Sequence, residues 1–166
     1  MKLIKSMAIC SIAVLIAGTA YANGPSDEEC NEPINGPDFY PAGIACDFPL
    51  TVVACEVKDF KPVDKKLIQA GRAVKLFVKN EDTKVTKLLK PRGGSLVQII
   101  RNDAEGTTRL VATGVNLLIL FPSDTPPGPS ANLHHGRVDV TIDSNGDWTV
   151  DQASGRATDV CALLGG

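Results

Sequence analysis

The sequence predicts an all-β domain: a single antiparallel meander of about eight strands, either closed into a barrel or folded into a two-sheet sandwich, carrying two disulfides. Three observations predict it. From Phe48 onward, short runs of Val, Ile, Leu and Thr are separated by clusters of Gly, Asn, Asp and Pro at the spacing of antiparallel strands. Several of those runs alternate apolar with polar residues, the period of a half-buried strand. An export signal followed by four cysteines adds an oxidising compartment in which cystines can lock a small aliphatic core.

The signal comes first. Lys2 and Lys5 form a charged n-region, Ala8 to Gly18 an apolar h-region, and Ala20-Tyr21-Ala22 a small-x-small cleavage site. The mature protein is therefore expected to begin near Asn23, with residues 1–22 removed. An apolar run of about eleven residues falls short of the roughly 20 that a membrane-spanning helix needs, and no second candidate follows, so no transmembrane segment is expected. Cys10 lies within the h-region and leaves with it. The expected location is extracellular, or periplasmic in a Gram-negative host.

About 144 residues then remain, enough for one domain. Residues 23–45 read as an extended arm, because Gly, Pro, Asn and acids dominate and no periodic apolar face forms. Residues 46–166 read as the β domain. Strands are expected near 48–57, 72–79, 84–90, 95–101, 107–113, 115–121, 136–142 and 147–152. Val74, Leu76 and Val78 alternate against Lys75, Phe77 and Lys79; Val138, Val140 and Ile142 alternate against Asp139, Thr141 and Asp143, which predicts one wet face. Leu117 to Phe121 is continuously apolar, as in a strand covered on both faces. Turn chemistry lies between strands at Asn80-Glu81-Asp82, Pro91-Arg92-Gly93-Gly94, Asn102 to Gly106 and Ser144-Asn145-Gly146-Asp147. Thr158 to Leu164 reads as a short helix capped by Thr158 and ended by Gly165, or as a last strand carrying Cys161.

Cys30, Cys46, Cys55 and Cys161 allow three pairings. Cys46 and Cys55 flank one apolar run at an odd separation, so on a single strand they would point to opposite faces. Cys46 with Cys161 and Cys30 with Cys55 is the expected arrangement, and the exchange of partners stays open. The absence of a C-x2-C pair argues against a structural metal.

Cys46-x-Phe48-Pro49-Leu50, Thr113-Gly114 leading into Val115-Asn116-Leu117-Leu118, Gly136-Arg137-Val138 with Asp143-x-Asn145-Gly146, and Gly155-Arg156 with Asp159 to Leu164 form one series. That series resembles a group of small secreted, functionally uncharacterised proteins known mainly from actinobacteria, over about residues 46–164. The resemblance brings no catalytic residue. Cys46 and Cys161 match its recurring cysteine positions, which supports their pairing, whereas Cys30 and Cys55 lie outside it.

Four features are candidates for chemistry. His134 and His135, with Asp124 in the same Pro-rich stretch, have the residue types of a metal site or a general base, although adjacent side chains on extended backbone diverge. Asp143-Ser144-Asn145-Gly146-Asp147 has the alternating oxygens of a calcium loop, but Trp148 stands where such a loop needs Gly, and a hairpin turn explains all five residues. Charge is uneven. Removing Lys2 and Lys5 from the 17 basic residues leaves 15 against 19 acidic ones, a net charge of −4. Yet Lys61 to Arg92 holds ten basic residues against Asp64, Glu81 and Asp82, so Lys75, Lys79, Lys84 and Lys87 could form a positive sheet face for an anionic polymer, lipid headgroups or an acidic protein. The competing reading is a solubilising face, partly neutralised by Asp27, Glu28, Glu29 and Glu32 in the arm. The fourth feature is the long loop Pro122 to His135, rimming one end of the domain.

No G-x-S-x-G, H-E-x-x-H, P-loop or dinucleotide fingerprint occurs, and no N-x-[ST] sequon. No catalytic residue, metal or cofactor is assigned. Nucleic acid is not expected as a partner, because the chain is acidic, exported and lacks aromatics among its lysines. The expectation is a secreted binding protein whose candidate binding residues are Lys75, Lys79, Lys84, Lys87, His134 and His135. A carrier of small apolar ligands in a barrel interior, or a secreted hydrolase built on a histidine, are the alternatives.

Overall fold

The computed structural model describes residues 37–55, 64–71 and 74–165. In them the strands β1 (Asp38–Tyr40), β2 (Leu50–Cys55), β3 (Leu67–Gln69), β4 (Lys75–Asn80), β5 (Thr86–Leu89), β6 (Ser95–Asn102), β7 (Thr107–Leu120), β8 (Ser130–Ile142) and β9 (Trp148–Asp159) precede one helical turn, α1 (Val160–Leu163). They form two antiparallel sheets, not a barrel. One has the order β1-β2-β4-β5; the other runs β3-β7-β8-β9, with β6 also paired to β7.

The chain is not a simple meander. β3 leaves the first sheet between β2 and β4 and pairs with Asn116–Leu118 of β7, while β6 pairs with Thr107–Gly114 on that strand's same edge. Leu67 and Ile68 of β3 are both buried, which explains the crossing: each lies against the core on its own side of the second sheet.

β7 merges the expected strands 107–113 and 115–121. Gly114 stands between them at φ 84°, so the chain bends there and the hydrogen-bonded ladder continues. Its cross-strand partner is Gly136, whose own partner is Gly155, so one row of glycines crosses β7, β8 and β9. A side chain on any of them would collide with backbone: Gly114 with the carbonyl of Gly94, Gly136 with that of Ser154, Gly155 with that of His135. Because the row bends the strands without ending them, β8 starts at Ser130 and β9 runs on to Asp159, and the expected 122–135 loop shrinks to the stretch before Ser130.

The row divides the second sheet into a sandwiched segment (Val115–Leu120, Ser130–His135 and the end of β9) and a curled segment (Thr107–Thr113, Arg137–Ile142 and the start of β9). In the sandwiched segment Val115, Leu117, Ile119, Ala131 and Leu133 pack against Leu50, Val52, Leu76 and Val78 of the first sheet, with Val160 and Leu164 closing the end. Each fully buried leucine there contributes roughly 1.5–3 kcal/mol by leaving water. On the opposite face, Leu118 and Leu120 meet Leu110, Ala112, Val138, Val140 and Trp148, so the sheet curls over itself and makes a second core.

A buried ion pair fastens the curl. Lys66 Nζ donates to both oxygens of Asp124 at 2.9 and 3.2 Å, and the same carboxylate accepts from the backbone N–H of Phe121 (2.6 Å) and Trp148 (2.8 Å). Thr125 beside it bridges to Thr149 of β9. The ammonium lies 4.3 Å from the centre of the Phe121 ring, a further favourable contact for a desolvated cation.

Cys46 and Cys161 are joined, closing a separation of 115 residues, which stabilises the fold by about 4–5 kcal/mol in the chain-entropy account. The expected second bridge has one end, Cys30, outside the described residues, as do the signal and most of the arm. The arm's far end does join the domain, with β1 paired to β2 and Tyr40 and Ala45 in the core. At the C-terminus the short-helix reading holds and the strand carrying Cys161 does not: β9 ends at Asp159, and α1, which holds Cys161, follows at once. Its cap is Asp159 rather than Thr158, the carboxylate accepting from Ala162 N–H at 3.1 Å.

Candidate functional site

The lysines of the basic stretch do not share one face. Lys75 and Lys79 alternate with buried Leu76 and Val78 on β4 and therefore point away from the second sheet. Lys87 is the cross-strand partner of Val78, which puts it on the other side of the same sheet, exposed on edge strand β5. Lys84 sits in the intervening turn at φ 62°. Lys79 and Lys84 both reach Glu81, at 2.9 and 3.2 Å, and Thr51 Oγ1 donates to it at 2.8 Å. Burial raises the Glu81 carboxyl, but the hydrogen bonds from Lys79, Thr51 and Lys84 outweigh that and hold it below the usual carboxylate range. Part of the positive charge expected on this face is thus neutralised at its source.

The two histidines diverge, as strand geometry requires. His134 lies opposite Asn116, half-buried, and burial pushes its imidazole below the ordinary value. His135 lies between Val115 and Arg156 and faces the first sheet. Asp124 is committed to Lys66. Among the described residues no group of three or more His, Cys, Asp or Glu is placed to hold a metal ion. Asp143 works as a turn residue: its carboxylate accepts the backbone N–H groups of Asn145 (2.8 Å) and Asp147 (3.0 Å), and these, Asp147 first, hold its pKa down.

His135 belongs to a different assembly. The end of β5 and the segment after it (Leu88, Leu89, Lys90, Pro91, Arg92) face Leu133, His135 and Arg156 across an open cleft of about 520 Å³ between the two sheets. Its floor is apolar, since Leu133 is buried and Leu89 packs on the core. Its rim carries Lys90, Arg92 and Arg156 with the imidazole among them, and among the described residues no carboxylate lines it. Such a rim suits an anionic group, with two guanidiniums able to bind carboxylate, sulfate or phosphate oxygens in pairs.

Lys90 and Arg92 belong to the basic stretch legible in the sequence, but Arg156 does not. Its only sequence signal is the Gly-Arg step, and only the pairing of β8 with β9 brings it beside His135. A second basic cluster was equally hidden. On the outer face of the curled segment, Asp139 is sealed from water beneath Arg109 (2.6 Å) and Arg137 (2.7 and 2.8 Å), each about half exposed. The Arg137 hydrogen bond, followed by that of Arg109, lowers the Asp139 carboxyl to about 2 against the opposing effect of burial.

No helix among the described residues is long and apolar enough to cross a membrane. No family model matches the chain, and no curated protein or solved structure matches it.

Proposed function

We propose that this is a secreted, non-catalytic binding protein that takes anionic groups of a polymer or an acidic protein surface into the cleft between its two sheets. One observation carries the reading: Lys90, Arg92, Arg156 and His135 converge over an apolar floor that no acidic side chain lines among the described residues. Lys87 on the neighbouring edge extends the positive field toward the cleft, while Glu81 offsets Lys79 and Lys84 at a distance from it. The export signal and the Cys46–Cys161 cystine fit a protein that works outside the cell. The carrier alternative needed a barrel interior, and the two sheets do not close one.

Retention on immobilised heparin, a polyanion of sulfates and carboxylates, tests the site. The triple variant Lys90→Glu, Arg92→Glu, Arg156→Glu is expected to elute at markedly lower salt than the unmodified protein, because each cation removed lowers the number of counterions released. The double variant Lys75→Glu, Lys79→Glu is expected to elute close to the unmodified protein. Equal retention of all three, or loss confined to the double variant, would sink the cleft reading.

A further inference from the structure

The cleft opens beside the free edge of β9. Asp151 to Ala157 is exposed along that strand, and among the described residues nothing pairs with this stretch on the side away from β8. At its start the same edge already takes a partner: Thr125 N–H donates to Trp148 O, and Thr125 O accepts from Val150 N–H, both at 2.7 Å. Beyond that point the side chains of Ala153, Ser154, Gly155 and Ala157 are small enough to let another backbone come close. The carboxylates at the two ends of the stretch are engaged, Asp151 by Thr141 Oγ1 and Asp159 by the first turn of α1.

Which backbone groups face outward follows from the ladder. Val115 N–H donates to Gly94 O, on the side of β7 away from β8, so the pair Val115 and His135 shares no hydrogen bonds and His135 turns its groups toward Arg156. Alternation from Arg156 then sends the N–H and C=O groups of Gly155 and Ala157 to the open side. A strand added there in antiparallel sense would hydrogen-bond to those two residues. Its residue opposite Arg156 would form the closer kind of pair, about 4.5 Å between Cα atoms, with its side chain on the same face as Arg156. That face is turned to the cleft, where Lys90, Arg92 and His135 also stand. An extended peptide with carboxylates at alternate positions fits both features, its backbone meeting the edge and its anions the cleft. A sulfated glycan has the anions without the strand backbone, and a second copy paired through β9 about this segment would set Arg156 against Arg156.

We infer that the anions taken by the cleft belong to an acidic peptide segment of a partner protein, which adds antiparallel to β9 as an extra strand beside Gly155 and Ala157 and directs alternate carboxylates to Arg156, Lys90 and Arg92. The inference rests on the anion-binding reading of the cleft and names the partner of that site.

Fluorescence anisotropy with a capped, labelled peptide of alternating Glu and Thr, about eight residues long, tests it on the mature protein. The peptide should bind at least about tenfold more tightly than an isomer of the same charge with Glu and Thr in separate blocks. N-methylation of one alternate set of its amides should weaken binding by about tenfold or more, while N-methylation of the other set leaves it within about twofold, since only one set faces β9. Ala157→Pro removes an edge-facing donor outside the cleft, so it should weaken the peptide by a similar factor and leave elution from heparin unchanged. The triple variant Lys90→Glu, Arg92→Glu, Arg156→Glu should lose both. The N-methylated peptides leave the protein untouched, so they decide the matter even where Ala157→Pro lowers stability.

A peptide that fails to bind at about 1 mM would overturn the added strand. So would equal binding of the two isomers, equal effects of the two N-methylated sets, or peptide binding that a folded Ala157→Pro leaves intact; in each case the cleft reading stands if heparin retention still depends on its three cations. A dimer in sedimentation velocity that excludes the peptide would give the edge to a second copy and overturn the inference as well. Heparin retention that survives the triple variant would remove the cleft reading itself, and this inference with it.

Discussion

The sandwiched and curled segments of the second sheet are made from the same three strands, and only the glycine row lies between them. In the sandwiched segment every residue from Val115 to Leu120 is buried, because the first sheet covers one face and the curl covers the other. In the curled segment β7 buries only Leu110 and Ala112, on its concave face. The β7–β8 ladder is continuous throughout and the β8–β9 ladder shifts register only between Asp139 and Val140, away from the glycine row, so pairing does not set this difference; the direction in which the glycines turn the strands does. A bend that brings two stretches of one face together makes a second core without a third layer.

Breaking the bend should have the largest effect. Gly114→Val would drive a side chain into the Gly94 carbonyl and demand φ 84° of a β-branched residue, so both cores lose their alignment. The expected cost is more than about 4 kcal/mol, seen in urea unfolding as loss of a cooperative transition. Gly146→Ala is the control. It shares a positive φ of 85° but has nothing within 4 Å, so it should lower stability by only about 1–2 kcal/mol. Equal costs for the two would mean that backbone conformation, and not close strand packing, makes the row necessary.

Unfastening the curl comes next. Asp124→Ala strands the Lys66 ammonium in a buried site and leaves the N–H groups of Phe121 and Trp148 without their acceptor, at an expected cost of about 3–5 kcal/mol. Replacing both partners, Lys66→Met with Asp124→Asn, should recover much of that loss, because no unpaired charge remains. If the double variant is no more stable than Asp124→Ala in the same urea titration, the carboxylate's backbone contacts, rather than the ion pair, hold the two segments together.

Much of the fold was legible because one-dimensional patterns reported it. The apolar run from Leu117 announced a strand covered on both faces, and the alternation of Val74, Leu76 and Val78 marked the face of β4 that meets the core. Long-range features were not legible. Gly114 reads as a break between two strands until its alignment with Gly136 and Gly155 is known. β3 is three residues long, too short to show a period. The site follows the same rule. Lys90 and Arg92 stand in a visible basic stretch, but Arg156 joins them only through sheet register, and Lys87 separates from Lys75 and Lys79 because strand pairing, not sequence distance, assigns faces.

Asp139 gives the smallest and most specific test. Alternation with Val138 and Val140 correctly turns it to the outer face, yet that face is not wet at this point, because Arg109 and Arg137 from neighbouring positions close over the carboxylate. The two guanidiniums remain half exposed, so solvent weakens the attraction, and Asp139→Asn should cost only about 1 kcal/mol at neutral pH. Its pH dependence is distinctive. A carboxyl held at about 2 in the folded protein, below the ordinary value of 3.8, stabilises the fold fully above that ordinary value and loses its contribution as pH falls through 2. The stability gap between the unmodified protein and Asp139→Asn should therefore be constant above about pH 5 and close progressively between about pH 4 and 2. A gap that persists unchanged at about pH 2 would show that shape and hydrogen bonding at this position, not the charge, keep the outer face of the curled segment closed.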